Sequence, residues 1–386
     1  MLKRRTPAPA ALELLYDLFF VAAVVVLSFG YSHDPTLENL AWIGMVFILI
    51  WAVWVATTLV LNLLGRDSAV IRTLVIGQIL LLIAAVSAAD GVYDHTLLTG
   101  PLYSATLLLL AGIHWKAQQL KPELRSFSII RIWACLAAAL VFAFSPWYPD
   151  PGYLLLWLLG LILLISPGLQ TQSLKGLGLD TKKLAERLGI FTVIMLGESF
   201  VKTSLTATES EVVGLEIECV LGTIMIVLSI WWLYFANVPA EGEVTGRTAH
   251  RFWTIVHLPL HIGIAGIAVG ATMAILPNAS HTDEANSTWT LVISVGLVFI
   301  SFAAIEFLAN DRDSRRAGTL FLGAAMLSGV FGIFSAWQDY VDSQIATLVL
   351  AGLMVLVVCC EHFLRQPEEQ PKQNPEEQPE QEHSLS

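Results

Sequence analysis

The sequence predicts an all-α polytopic membrane protein of about twelve transmembrane helices. Three observations carry that prediction: composition, the length of the apolar runs, and the placement of the basic residues. Hydrophobic residues make up 55% of the 386 and charged residues 14%, with a mean hydropathy of +0.68. A soluble chain carries nearer a quarter charged residues. Apolar runs repeatedly reach the roughly 17–25 residues that cross a bilayer as helix. They fall near 14–30, 40–62, 72–93, 99–116, 129–145, 152–168, 188–206, 216–237, 253–275, 288–308, 318–336 and 343–363. Barrel strands would instead alternate apolar and polar over about ten residues, and these runs do not.

The first run follows Lys3, Arg4 and Arg5, the pattern of a signal peptide. Glu13 and Asp17 interrupt its apolar stretch and no small-residue cleavage site follows cleanly, so it reads as a retained helix. With the N-terminus inside, the cytoplasmic segments collect twenty of the 21 basic residues. Among them are Arg66, Arg72, Lys116, Lys175, Lys183, Arg187, Arg247, Arg251 and Lys372; Lys202 is the remaining one. The outer loops carry acids such as Asp34, Asp90, Asp150, Glu209, Glu211 and Asp283. That asymmetry predicts an even number of spans in the cytoplasmic (inner) membrane, with both termini cytoplasmic. The net charge of -11 follows from the outer acids and a Pro/Glu/Gln-rich tail, not from a basic partner.

Three divisions follow. Residues 1–170 form a first six-helix half, 171–363 a second, and 364–386 a disordered acidic cytoplasmic tail. The halves share features in order. Glu13-Leu-Leu and Glu186-Arg-Leu open helices one and seven, and Trp51 and Trp54 correspond to Trp231, Trp232 and Phe235. Gly65-Arg66 and Gly246-Arg247 precede helices three and nine, with Thr73/Thr254 and Val75/Val256 at the same offset. Six helices per half make the repeat parallel and place a central site between the halves.

Cys135, Cys219, Cys359 and Cys360 show no metal or disulfide spacing and read as small buried hydrophobes. The sequons at Asn278 and Asn286 read as outer-loop positions.

Polar residues inside the spans are costly and point to function or to a fixed packing. Glu198 lies eleven residues beyond Arg187, about 16 Å deep by helical rise. Lys202 is one turn further on the same face, where the two charges can meet. His257 and His261 repeat that spacing around Pro259. His261 reaches a depth comparable with Glu198, so proton exchange between them is an expectation. A zinc site lacks a third ligand, and no metal or cofactor is assigned. Gly266 and Gly270 form a small-xxx-small packing stripe, Pro259 needs a neighbour for the carbonyl it frees, and Trp231, Trp232 and Tyr234 read as interface anchors. At the cytoplasmic ends, Asp17 is expected to pair with Arg72, Arg187 or Arg251, in a network with Glu13, Glu186 and Glu306.

Glu13-Leu-Leu-Tyr-Asp17-Leu-Phe-Phe-Val, Glu186-Arg187-Leu-Gly189-Ile-Phe191 and Leu196-Gly197-Glu198-Ser199 together resemble the bacterial low temperature requirement protein A (LtrA) family. Trp231-Trp232-Leu-Tyr234-Phe235 and His257-Leu-Pro259-Leu fit the same pattern, over roughly residues 12–310. The resemblance implies a bacterial multi-pass membrane protein whose family name records growth in the cold, and it maps motif acids onto Glu13, Asp17, Glu186 and Glu198. Ala236-Asn237 stands where the family pattern has an acid.

The functional expectation is a proton- or ion-coupled transporter or channel. Glu198 is the carrier, Lys202 its counter-ion, His257 and His261 a relay, and Asp17 with Arg187 a cytoplasmic gate. The alternatives are a non-catalytic membrane-homeostasis or cold-adaptation protein with structural ion pairs, and an intramembrane lipid-acting enzyme, for which no convincing nucleophile–base set is present. The partners expected are the lipid bilayer and an unidentified small ion or solute. Nucleic-acid and nucleotide motifs are missing, and the packing glycines suit a monomer or a homodimer alike.

Overall fold

In the computed structural model, residues 11–33, 36–65, 68–89, 95–148, 152–169, 175–209, 215–237, 249–275, 281–309, 312–338 and 341–365 are described. The described residues form twelve α-helices and no strand. They are α1 (Ala11–His33), α2 (Leu37–Leu64), α3 (Ala69–Ala89), α4 (His95–Leu120), α5 (Arg125–Phe144), α6 (Gly152–Ile165), α7 (Thr181–Glu209), α8 (Leu215–Asn237), α9 (Ala249–Ile275), α10 (His281–Ala309), α11 (Arg312–Trp337) and α12 (Ser343–Leu364). Ten of them are long and apolar enough to cross a membrane. The other two are α1, with 23 residues, and α6, with 14. Helix α6 continues into a 3-10 turn at Ser166–Leu169, so about 21 Å of α-helix and about 8 Å of tighter helix together approach the bilayer core thickness.

Several expected features lie outside the described residues: Lys3, Arg4, Arg5, Arg66, Arg247 and Lys372, the acids Asp34, Asp90, Asp150 and Glu211, the sequon at Asn278, and the tail from 366. So do the side chains of Lys175, Glu209, Asn237 and Asp283. Most helices extend a few residues beyond their apolar runs, and two ends bear on the sequence-based expectations. Helix α12 runs to Leu364, with Arg365 as its C-cap. Asn286 sits inside α10 rather than in a loop, because Ser287 beside it donates to Gly270 O at 3.1 Å and ties this turn to α9.

Helix α7 starts seven residues before its apolar run, and that extension matters for the site. Asp180 initiates it, accepting from Lys183 N at 3.1 Å through its side chain, which is N-cap behaviour. Asn62 of α2 clamps the same residue from both sides, donating to Asp180 O at 2.8 Å and accepting from its N–H at 2.9 Å. Gly65 ends α2 at φ 60°, the left-handed conformation that suits glycine, and returns its N–H to Leu61 O at 3.1 Å. Lys121 joins these ends by donating to Leu63 O at 2.7 Å and Leu177 O at 3.1 Å. The register of α7 against α1 and α2 is thus fixed from its first turn.

The packing order recurs along the chain. Helix α1 packs on α2 and α3, and α3 through α6 follow in series; helix α7 packs on α8 and α9, and α9 through α12 follow in series. The two sets meet where α1 and α2 lie against α7 and α9. Helices α9 and α10 approach most closely, and their glycines explain it. A Cβ on Gly270 would lie 2.7 Å from Leu291 Cγ, and one on Gly263 would lie 2.8 Å from Ser294 O and 3.2 Å from Val298 N. At Gly266 a Cβ would overlap Ser294 Oγ. The small-xxx-small stripe therefore serves packing, against α10.

Substituting Gly263 by Ala pushes against backbone that cannot rotate away, so destabilisation of about 1–3 kcal/mol is expected from overpacking. Gly296→Ala, where nothing lies within 4 Å, should be neutral or slightly stabilising through helix propensity. Unfolding temperatures of the two variants in detergent check the contrast; equal shifts would rule out the close-packing account.

Candidate functional site

The junction of α1, α2, α7 and α9 holds a column of polar side chains. It begins with two i,i+4 pairs facing each other: Glu13 and Asp17 on α1, Lys183 and Arg187 on α7. Arg187 Nη1 donates to Glu13 Oε2 at 3.2 Å and Nη2 to Asp17 Oδ1 at 2.7 Å, while Lys183 Nζ reaches Glu13 Oε1 at 2.9 Å. Trp54 of α2 donates its indole N–H to Asp17 Oδ1 at 2.8 Å. Asp17, Arg187 and Trp54 are buried, so the pairing is obligatory: an uncompensated charge at this depth costs several kcal/mol. Of the partners expected for Asp17, the structure selects Arg187. The other members go elsewhere. Arg72 and Glu186 are exposed on α3 and α7, Arg251 lines a cleft described below, and Glu306 receives Arg365 at 2.6 Å beside Glu361, which Arg365 also contacts.

One turn deeper, Phe191 packs at a tilt between Trp54, at a centroid distance of 4.4 Å, and His261, at 4.5 Å, with Phe20 edge-on at 4.8 Å. Above it, the partners of the two histidines dictate their tautomers. Trp51 Nε1 lies 3.1 Å from His261 Nδ1. An indole N–H can only donate, so Nδ1 accepts and the neutral ring carries its proton on Nε2. That proton points to Thr192 Oγ1 at 3.0 Å, whose own hydroxyl donates to Leu188 O at 2.8 Å. His257 is opposite. Its Nδ1 faces Trp253 O at 2.7 Å and must donate, leaving Nε2 to accept from the Tyr234 hydroxyl at 3.0 Å. All four ring nitrogens are engaged. The rings stand 5.9 Å apart by centroid, and no hydrogen bond joins either to Glu198, so the expected His–Glu relay has no direct path here. Tyr234 is buried as the partner of His257, while Trp231 and Trp232 are 46% and 45% exposed.

Glu198 and Lys202 lie further along α7, both buried. Neither carboxylate oxygen of Glu198 has a hydrogen-bond partner among the described residues, so the two charges share a helix face without a direct bond. Ser28 of α1 lies beside the carboxyl but donates its hydroxyl to Val25 O at 3.0 Å. Ser28 also lines a cavity of about 320 Å³ between α1, α2, α9 and α10, with Tyr31, Phe47, Ile262, Gly266 and Asn286 on its walls. Ser199, next to Glu198, is spent on backbone, at 3.1 Å from Met195 O and 3.3 Å from Ile264 O.

Of the expected site residues, the structure brings Glu13, Asp17 and Arg187 into one bonded cluster and stacks His261, Glu198 and Lys202 above it. Sequence reasoning missed Trp51, Trp54, Thr192 and Lys183 as partners. The i,i+4 match of Lys183 and Arg187 to Glu13 and Asp17 was a usable signal; the donor roles of the tryptophans were not, because indoles in apolar helices read as packing.

Two measurements follow. Breaking the buried cluster with Arg187→Gln should cost about 3–5 kcal/mol, because the buried Asp17 loses its cation while Glu13 keeps Lys183, and adding Asp17→Asn should recover part of it. If the double variant is no more stable than Arg187→Gln alone, the two residues do not act as a pair. In nitrogen-15 NMR of histidine-labelled protein, with the signals of the nine histidines assigned by substitution, His261 should be an Nε2–H ring and His257 an Nδ1–H ring. Trp51→Phe should perturb the first alone, and a shared tautomer would contradict the hydrogen-bond assignment.

The chain is similar over nearly its whole length to known proteins. The family model described as bacterial low temperature requirement A protein (LtrA) matches residues 10–360. An uncharacterized protein of Rhizobium meliloti (strain 1021) is 28% identical over 371 residues, covering 90% of this chain and 87% of the relative. With the helical bundle and the conjunction of Glu13, Asp17, Arg187 and Glu198 in place, this protein is a member of the bacterial LtrA family.

Proposed function

We propose that the protein is a proton-coupled transporter of the cytoplasmic membrane, with Glu198 as the group that takes up and releases the proton. The observation that carries this reading is the Glu198 carboxylate itself. It is buried in a membrane-spanning helix, neither of its oxygens has a well-formed hydrogen bond among the described residues, and it lies beside Ser28, which itself lines a cavity. Asp17, also buried, has one carboxylate oxygen held by both Arg187 and Trp54, whereas neither oxygen of Glu198 has a partner among the described residues. Lys202, one turn away, supplies a compensating charge that makes the ionised state affordable. The Glu13–Arg187–Asp17 cluster and the Phe191–His261–Trp51 layer close the column below. In this reading His261 belongs to the closing layer rather than to a relay.

Two further expectations are part of the proposal. The concentration of Lys and Arg at one set of helix ends supports cytoplasmic termini. The recurring packing order of α1–α6 and α7–α12 supports two related halves with the site between them. The second reading, a membrane-homeostasis protein without flux, is favoured by the complete hydrogen bonding of both histidines.

Proton flux in proteoliposomes under an imposed pH gradient and potential separates the readings. Wild type should conduct or exchange protons, and Glu198→Gln should fall to the level of empty liposomes while eluting as folded protein. Normal flux in Glu198→Gln would remove its assigned role, and no flux from folded wild type would transfer the case to the homeostasis reading.

A further inference from the structure

A second cavity, of about 190 Å³, opens between α2, α5, α6, α7 and α9. Most of its wall is apolar, formed by residues such as Ala52, Val55, Leu164, Leu184 and Leu258, yet Arg131 of α5 and Arg251 of α9 line it together with Thr254. The two arginines line the same cavity, so their like charges face one enclosed volume. Arg131 makes no ion pair among the described residues, and its guanidinium carbon lies 4.3 Å from the centre of the Phe127 ring. That contrasts with Lys183, Arg187 and Arg365, each of which holds a carboxylate. Ile165 and Ile255, also on the cavity wall, are 43% and 49% exposed on the flank of the bundle. The cavity therefore reaches the side of the protein that lipid would cover.

Like charges set in an apolar wall repel each other and gain from an anion between them. The remaining wall asks that the anion carry an apolar body. Basic pockets between membrane helices are suited to acidic headgroups, and an opening on the flank admits a molecule from the bilayer. We propose that this cavity is a binding site for an anionic phospholipid, with the phosphate between Arg131 and Arg251 and an acyl chain along the apolar wall. The site shares no residue with Glu198 and does not rest on the transport reading.

The test uses full-length protein purified in neutral detergent, with its unfolding temperature measured after adding phosphatidylglycerol, phosphatidylcholine or glycerol 3-phosphate. Phosphatidylglycerol should raise the midpoint several degrees more than phosphatidylcholine, and glycerol 3-phosphate should leave it unchanged. Arg131→Gln and Arg251→Gln should each lose the difference between the two lipids. Ala52→Phe keeps both charges but fills the cavity, and it should lose the difference as well. Equal responses to the two lipids in wild type would overturn the proposal, as would an undiminished difference in the variants. A full response to glycerol 3-phosphate would assign the site to a soluble anion and overturn the lipid assignment.

Discussion

Arg187 is the charge around which the centre of this bundle is arranged. It enters the protein interior on α7 and is held there by two carboxylates of α1, at 3.2 and 2.7 Å. Neither helix could keep its charges buried alone, because desolvation would exceed anything a single helix returns. Joined, they fix the register of α1 against α7, and Trp54 adds α2 to the same point through Asp17. The devices at the start of α7 serve this geometry. Asp180 caps the helix, Asn62 clamps Asp180, and Lys121 ties the neighbouring turns, so Arg187 arrives opposite Asp17 rather than a turn away.

Above that cluster, polar satisfaction is uneven, and the unevenness is informative. Both histidines use every ring nitrogen, and their opposite tautomers follow from a donor-only indole on one and an acceptor-only carbonyl on the other. Protonating His261 would cost the Trp51 bond, whereas Tyr234 can turn its hydroxyl to suit His257. Glu198, one layer further, has no such partners. Asp17 and Glu306 each have one carboxylate oxygen engaged, whereas Glu198, buried beside Ser28 near a cavity, has neither engaged among the described residues, which is the pattern expected where a group must exist in two states.

Much of this was legible in the chain. The twelve helices followed from run length alone, since a bilayer allows few alternatives, and Glu198 and Lys202 stood out because charges are rare at that depth. The pairing of Asp17 with Arg187 was one of three choices that depth permitted, and only the packing of α1 on α7 decides among them. Glu306 shows why: by depth it belonged with Glu13, but α10 packs beside α12, so Arg365 takes it. The roles of Trp51, Trp54 and Tyr234 were not legible, because an aromatic in an apolar helix looks the same whether its polar atom is used or not. Asn286 was misplaced for a related reason: a polar stretch reads as loop until the helix that contains it is seen to pack on α9.

The relation between the two cavities follows from α2 and α9, which wall both. Phe47 and Ile262 face the one near Ser28, while Trp51 and Leu258 face the one that holds Arg131 and Arg251. Only about one helical turn separates these residues on each helix, and the Trp51–His261 hydrogen bond spans that turn. The bond thus lies between residues that line the two cavities, with the Phe191 ring packed against His261 at 4.5 Å from the α7 side. Close-packed interiors change by switching between discrete arrangements rather than by stretching. A tilt of α2 against α9 about this layer would widen one cavity as it narrowed the other, and Trp51 would have to let go of His261 for either to reach across. The same hydrogen bond that fixes the His261 tautomer therefore also joins α2 to α9 between the two cavities.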